Sequence, residues 1–472
     1  NDGDLDLLYA GYIEKNVYRN EGNVFSDIGP TFNNGMLGSH IARWADFDND
    51  NDLDVLISGG HLTRIYFNED GNYIEDTTNY YGRYDPAAAV GDLDNDGDID
   101  FLLSGYSYNT SDFFTCYMNQ DSVFTENDIG IPLTTLCYDM TLLDIENDGD
   151  PDLICVMQDS LKLFINHSGI FSPTDDAIAL SDEGKLSTGD INNDGLTDII
   201  VTGNGFTQVL INTGSKKFAK NNNYDLPDLE DSSVDLGDYD NDGDLDIIIT
   251  GINGTTLVSA VYRNNIIMKA GETAANQPPG VPAGMEYRAI PDGVLLSWEP
   301  VEGDETPAAT MTYNLKIGSE PGLGDLLSPV ADSLTGYYKL AANGNAGYDS
   351  THLVRTFPTG VYYWQVQAID QAFHASGWSE VDSFEVRNTQ AFFSFDTVCH
   401  HNLTPLKDQS VSVDQIASWT WMEGADTIAT EQHPAFEFLN SGNHTVKLVI
   451  ETVVGDKDSI ENEVFVRPTP EV

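Results

Sequence analysis

Short apolar runs recur through the first 267 residues, each closed by turn residues. The runs 53–58, 99–104, 153–157, 198–202 and 245–250 are rich in Ile, Leu and Val. Their length suits a buried strand and falls short of a helix. A second run follows and ends in asparagine, as in Val17-Tyr-Arg-Asn20, Ile65-Tyr-Phe-Asn68, Leu163-Phe-Ile-Asn166 and Val209-Leu-Ile-Asn212. An aromatic residue comes soon after each: Phe25, Tyr73, Phe171 and Phe218. A third run leads into the next unit. No stretch keeps the 3.6-residue helical period over a useful length, so the pattern predicts an all-β chain.

Each first run is preceded by an acidic nine-residue loop. Complete copies lie at 46–54, 92–100, 144–152, 190–198 and 238–246, and 1–6 is the tail of a sixth. Successive copies start 46 to 52 residues apart, the range of propellers and other repeat arrays. Short strands, glycine-rich turns and this period predict four-stranded propeller blades.

The loop has a mechanism. Oxygen side chains stand at positions one, three, five and nine, and glycine usually at six. Alternate residues of a tightly curled loop point inward, so Asp238, Asp240 and Asp242 are expected to converge on one cation. Calcium takes six to eight oxygens. Position seven, Asp244, offers its backbone carbonyl, and Asp246 closes the site. Gly243 permits a positive φ. Thiolate and imidazole are absent, which argues against zinc and copper, and magnesium holds its waters more tightly. The expected metal-binding residues are Asp46, Asp48, Asp50, Asp52 and Asp54 in one loop and Asp92, Asp94, Asp96, Asp98 and Asp100 in the next. They continue as Asp144, Glu146, Asp148, Asp150 and Asp152, then Asp190, Asn192, Asp194, Leu196 (by its carbonyl) and Asp198. The truncated copy adds Asp2, Asp4 and Asp6. The chain is thus expected to hold about five to six Ca²⁺ ions. Asn51 in place of glycine is a mild departure, Glu146 and Pro151 alter the third complete loop, and the 190–198 loop carries less charge.

The net charge of −56 follows from 77 acidic against 21 basic residues, and the six loops hold 26 of those acids. Such a surface repels nucleic acid and anionic membranes. No apolar run reaches the length of a membrane helix, so no direct membrane insertion is expected. Loops of this type need more calcium than the cytosol supplies, which places the protein outside the cell or on its surface. Cys116, Cys137, Cys155 and Cys399 show no metal-binding spacing. Cys155 reads as a small core residue, and a Cys116–Cys137 bridge is the pairing considered.

The pattern stops at 268–277, a linker by composition. Residues 278–388 then alternate as strands, with Trp298 and Tyr362 as expected core anchors and Trp378 near a loop. Residues 389–472 repeat the sandwich theme, with Trp419 and Trp421 at its centre.

The tandem loops with these strands resemble FG-GAP/VCBS repeats, which build the seven-bladed propeller of integrin α-subunits and bacterial surface proteins. The resemblance covers 1–267 and implies one calcium in a hairpin loop of each blade, with one blade upstream of residue 1. Residues 278–388 resemble fibronectin type III, through Trp298 and Tyr362-x-x-x-Val366-x-Ala368, although 318–350 is a long insert. The stretch Phe438-Leu-Asn-Ser-Gly-Asn-His-Thr-Val-Lys-Leu resembles PKD-type domains. Asp-Ser/Thr-aliphatic triplets at 121–123, 159–161, 332–334, 396–398, 426–428 and 458–460 resemble the O-glycosylation site of bacteria with type IX secretion.

No catalytic constellation stands out. The histidines are scattered, and the adjacent His400 and His401, if on a strand, would face opposite ways. Trp44, Tyr80, Tyr81, Tyr84, Tyr106 and Tyr108 are candidates to stack on sugars, with core packing as the alternative. The expectation is a non-catalytic adhesion scaffold that binds a glycan or surface protein. A polysaccharide lyase on a calcium propeller and a structural subunit of a larger secreted or cell-surface assembly are the alternatives.

Overall fold

The computed structural model describes the chain apart from residues 1–5, 12–14, 21–23, 29–31, 33–39, 51, 61, 70, 108–112, 146–149, 175–176, 195, 215, 241–243, 266–276, 292, 305, 333–335, 337–342, 356, 372 and 469–472. The described residues are all-β, with one short 3₁₀ turn at Ala308–Thr310 and no α-helix. The chain forms two compact units. One comprises Asn1–Glu286, Leu296–Leu353 and Tyr362–Ser383, and the other Tyr287–Leu295, Val354–Val361 and Phe384–Val472. The expected linker at 268–277 lies almost wholly outside the described residues.

The first unit opens with six antiparallel sheets in chain order. The first pairs Leu7–Ala10, Lys15–Asn20 and Phe25–Asp27. The second runs His40–Ala45, Asp54–Gly59, Leu62–Glu69 and Asn72–Glu75, with Tyr80–Tyr81 against Leu62–Glu69. The third is Tyr84–Gly91, Asp100–Tyr106, Phe114–Gln120 and Val123–Asn127. The fourth is Asp139–Leu143, Asp152–Val156, Ser160–His167 and Ile170–Pro173, with Ile178–Ala179 beside Ser160–His167. Gly184–Gly189, Asp198–Gly203, Phe206–Asn212 and Phe218–Asn221 make the fifth. Glu230–Gly237, Asp246–Asn253 and Thr256–Tyr262 make the sixth.

The second strands of the second to fifth sheets explain the unbroken apolar runs. Val55, Leu56 and Ile57 expose no surface, and Ile199, Ile200 and Val201 expose none either. Alternation is absent because both faces of these strands are covered. Burying each such side chain stabilises the fold by about 1.5–3 kcal/mol. The covering comes from the neighbouring sheets. Phe47, Leu56 and Ile65 of the second sheet pack with Ala88, Phe101 and Tyr117 of the third. Leu102 and Phe114 of the third pack with Leu153 and Phe164 of the fourth. Ile154 and Leu163 then meet Ile199 and Leu210, and Ile200 and Val209 meet Val234 and Ile247. No sheet has a core of its own, so each depends on its neighbour, the property that defines a repeat stack.

A disulfide joins Cys137 and Cys155, with Cα atoms 5.5 Å apart. Cys137 thus pairs with Cys155 and not with Cys116, the partner considered from the sequence, and Cys155 lies in the core as read. The Tyr138 amide bonds the Val156 carbonyl at 2.8 Å, which sets the backbone at Cys137 beside the strand that carries Cys155. Cys116 is buried in the same cluster with a free thiol.

In the 278–388 region, Ala283–Ile290, Gly293–Glu299 and Thr351–Val354 form one sheet, and Thr312–Gly318, Gly360–Ile369 and Asp382–Val386 another. Trp298 is buried as expected and packs on Tyr313 at 5.3 Å and Trp364 at 6.1 Å. The second anchor is Trp364, at 1 % exposure, and not Tyr362, which is only half-buried. Strand alternation puts both residues on one face, and the fully covered end of that face belongs to Trp364. Trp378 is also engaged: its indole N–H donates to the Asp332 carbonyl at 3.2 Å and Lys316 Nζ lies 4.4 Å from its ring.

In the second unit, Ile416–Glu423 is flanked by Asp426–Ala429 and Gly442–Thr452, with Lys457–Val466 beyond. Trp421 is fully buried against Phe393 and donates to the Glu431 carbonyl at 2.9 Å. His400 and His401 lie in a turn and not on a strand, with their rings 3.8 Å apart.

Candidate metal centre

Each acidic loop joins the first strand of a sheet to the second. Its ninth residue opens the second strand, and in all five complete loops that carboxylate does the same work. Asp54 accepts the Phe47 amide at 2.8 Å on one oxygen and the Asn68 amide at 2.8 Å on the other. Asp100 does so from Leu93 and Asn119, and Asp152 from Ile145 and Asn166. Asp198 accepts from Ile191 and Asn212, and Asp246 from Tyr239 and Asn264. In the truncated copy Asp6 accepts the Asn20 amide at 2.8 Å. The ninth carboxylate therefore closes the loop onto the third strand with backbone donors, a role the sequence pattern did not disclose.

The asparagine that ends the third strand, or follows it, completes the joint. Asn119 donates its side-chain amide to Ile99 of its own loop and to Phe47 of the preceding one, at 3.2 and 2.9 Å. Asn166 bonds Pro151 and Leu93, and Asn264 bonds Leu245 and Ile191. These bonds run from sheet to sheet. Position four makes a second link. Asn49, Asn95 and Asn193 sit at φ of 57°, 59° and 58°, a left-handed conformation that asparagine tolerates. Asn49 Nδ2 reaches Asp98 at 2.8 Å and Asn95 Nδ2 reaches Asp150 at 2.6 Å, each in the following loop. Two position-seven side chains, Asp98 and Asp150, thus accept from the preceding loop.

The remaining acids converge. Asp46, Asp48 and Asp50 bring carboxylate oxygens within 4.8 Å of one another, as do Asp92, Asp94 and Asp96, and Asp238, Asp240 and Asp246. Position one accepts backbone donors: Asp46 from Asp50 at 3.1 Å, Asp92 from Asp96 and Gly97 at 3.1 and 2.9 Å, and Asp190 from Asp194 at 3.1 Å. Position five accepts the position-seven amide in three loops, at 2.7 Å for Asp50, 3.0 Å for Asp96 and 3.0 Å for Asp194. Position three differs. Asp48 Oδ1, Asp94 Oδ1 and Asn192 Oδ1 are buried with no hydrogen-bond partner. A buried acceptor without a partner is costly. Three such oxygens at one repeat position suit a hard cation, and the all-oxygen donor set fits calcium. Asp240, the fourth described residue at this position, pairs with Arg263. Asp144, Asp150 and Asp152 lie in the third complete loop. Asp2, Asp4, Glu146, Asp148 and Asp242 lie outside the described residues.

Electrostatics point the same way. Burial, with added repulsion from Asp50 and Asp46, pushes Asp48 up to about 6. Burial and then Asp96 push Asp92 up to about 8. Burial raises Asp96 to about 6, Asp54 to about 8, Asp100 to about 9 and Asp198 to about 7. So many buried acids hold their charge at neutral pH only beside positive charge.

The aromatic candidates divide. Tyr80 is core, packed on Tyr117 at 5.3 Å and Phe101 at 5.7 Å. Trp44 is half-buried near Tyr73, and Tyr84 is half-buried. Tyr81 and Tyr106 are 61 % and 41 % exposed, and Tyr106 Oη lies 3.2 Å from Tyr138 Oη. Tyr81 pairs with Leu62, at the start of the third strand, and Tyr106 ends a second strand. Both therefore stand at the sheet end opposite the acidic loops. Tyr108 lies outside the described residues. Among the described residues no helix is long and apolar enough to cross a membrane.

Residues 1–57 and 190–249 match a family model described as an FG-GAP-like repeat. A search of curated proteins found no match. Among solved structures, the chain is similar to an Agrocybe aegerita lectin that recognises non-reducing terminal N-acetylglucosamine. The TM-score is 0.40 at 15 % identity, over 65 % of this chain and 90 % of that one. An extracellular domain assigned to a hybrid two-component system of B. thetaiotaomicron gives 0.34 at 10 % identity, over 97 % and 95 %. The PKD1 domain of Vibrio cholerae metalloprotease PrtV gives 0.16 at 23 % identity, over 17 % and 99 %. These scores are too low to assign a shared fold.

Proposed function

We propose that the six sheets belong to a calcium-stabilised propeller that serves outside the cell as a non-catalytic scaffold for binding a glycan or a surface protein. The buried, unpartnered position-three oxygens of Asp48, Asp94 and Asn192 carry the calcium reading. Bound ions would tie each loop together and add their binding energy to folding, because the unfolded chain lacks a formed site. The Cys137–Cys155 disulfide supports an oxidising compartment. The exposed Tyr81 and Tyr106, at the end away from the loops, are the side chains offered to a ligand. Thr397 and Thr427 of the Asp-Ser/Thr-aliphatic triplets are exposed, as O-glycosylation during export would need.

The test exposes the purified chain to polysaccharides and cell-surface proteins, with calcium and with a chelator, while retention and product release are recorded together. Calcium-dependent retention without products supports the scaffold. New reducing or unsaturated ends, lost in a variant outside the loops, would make it an enzyme. Silence in both channels with stable copurifying partners would favour a structural subunit.

A further inference from the structure

The acidic loops are not bare. Within the first compact unit, residues from the 278–388 region lie on three of them. Ser328 Oγ donates to Asp46 Oδ2 at 2.5 Å, and both residues are buried. The Leu326 carbonyl sits so close to Gly97 that a Cβ there would run into its oxygen. Glycine at position six of that loop, at φ +95°, thus serves the curl and the close approach together. Tyr348 bonds Thr197 and the Asp190 backbone, and Gln371 Nε2 donates to Asn193 Oδ1 at 3.1 Å.

The seated segment is fastened to its own sandwich at the same time. Leu326 and Leu327 amides donate to the Ile317 carbonyl at 3.1 and 3.0 Å, and the Val330 amide to Asn314 Oδ1 at 3.1 Å. Asn345 ties Ser328 to Leu315. A rigid edge of one module therefore presses on the loops of another.

The loops make this contact conditional. Residues 319–332 include Glu320, Asp325 and Asp332, and Lys316 Nζ donates to the Gly322 carbonyl at 3.1 Å. The loops at 46–54 and 92–100 carry five aspartates each. The groups that touch are neutral: a hydroxyl, a carbonyl, a phenol and a carboxamide. Asp46, which Ser328 touches, is itself a candidate cation ligand, and Gly97 sits in the curl of another loop, so an ion that orders these loops also orders the surface on which the segment sits.

We infer that residues 325–331, with Tyr348 and Gln371, form a calcium-dependent strap that holds the second module onto the loop face of the repeats. This rests on the calcium reading above. Filled loops fix the angle between the modules, and emptied loops release the strap while the sheets stay folded.

The experiment labels Ser328→Cys with a maleimide in a Cys399→Ser background, with calcium content measured on the same samples. Slow labelling in calcium that quickens at least tenfold in chelator, while the buried Cys116 stays unlabelled, is the expected result. Chymotrypsin on the unaltered chain should cut after Leu326 or Leu327 only in chelator. Equal labelling rates on protein shown to gain and lose calcium would overturn the strap and leave the calcium reading standing. Protein that binds no calcium at all would overturn both.

Discussion

The side chain of Asn166 donates to the carbonyl of Leu93 at 2.8 Å, across the boundary between two sheets and 73 residues back along the chain. It also holds Pro151 of its own loop at 3.1 Å. Asn166 is fully buried. Asn166→Ala strands both carbonyls away from water, so the variant should lose about 2 kcal/mol or more of stability. Urea unfolding at fixed calcium measures this, and a loss below about 0.5 kcal/mol would mean the link carries no load.

Positions three and nine should separate under substitution. Asp54→Asn sets an amide N–H₂ against one of two backbone donors and should destabilise even the calcium-free protein, by about 1–3 kcal/mol. Asp48→Asn removes charge from an unpartnered oxygen. It should leave calcium-free stability unchanged or higher and weaken calcium binding at one site. Calorimetric titration and unfolding of both variants decide the matter; matching profiles would refute the division of roles.

Calcium-free protein should become less stable as pH rises. The folded-state values of Asp54, Asp100 and Asp198, about 8, 9 and 7, lie above an ordinary aspartate. A raised carboxylate is protonated in the folded state while the unfolded chain has released its proton. Its stabilising effect is complete below about pH 4 and is lost as pH climbs through 7 to 9. Melting temperatures from pH 5 to 8.5 in chelator should fall, whereas calcium should flatten or reverse the trend. A flat profile in chelator would show that the buried carboxylates are not raised.

Thiol counting should give one reactive group in the native protein, from the half-exposed Cys399, and two after unfolding without reductant, when Cys116 is released. Reduction of Cys137–Cys155 should lower stability by about 3 kcal/mol, the loop-closure estimate for a separation of this size. Three or four thiols in unreduced, unfolded protein would contradict the pairing.

Much of the architecture was legible in the sequence. Runs such as 53–58 and 198–202 are second strands because burial on both faces demands unbroken apolar residues. The loop spacing also placed Asp46, Asp48 and Asp50 together. The structural duty of Asp54 was hidden, since an aspartate that accepts two amides is written with the same letter as one awaiting an ion. Asn119 and Asn166 were visible as a recurring end-of-strand residue, but their partners lie in another repeat, and no local pattern names a carbonyl more than 70 residues away. Gly97 showed its turn but not the Leu326 carbonyl resting on it. Trp364 and Tyr362 share a strand face, and only packing told them apart.

On the proposed reading, calcium in the loops holds the repeats together. The most direct measurement is the calcium content of the chelator-treated chain as ion is restored, with the melting temperature followed in parallel. Uptake of about five ions with a melting temperature that climbs as they bind is the predicted result. A chain that takes up no calcium, or melts at one temperature whether loaded or stripped, would contradict the account.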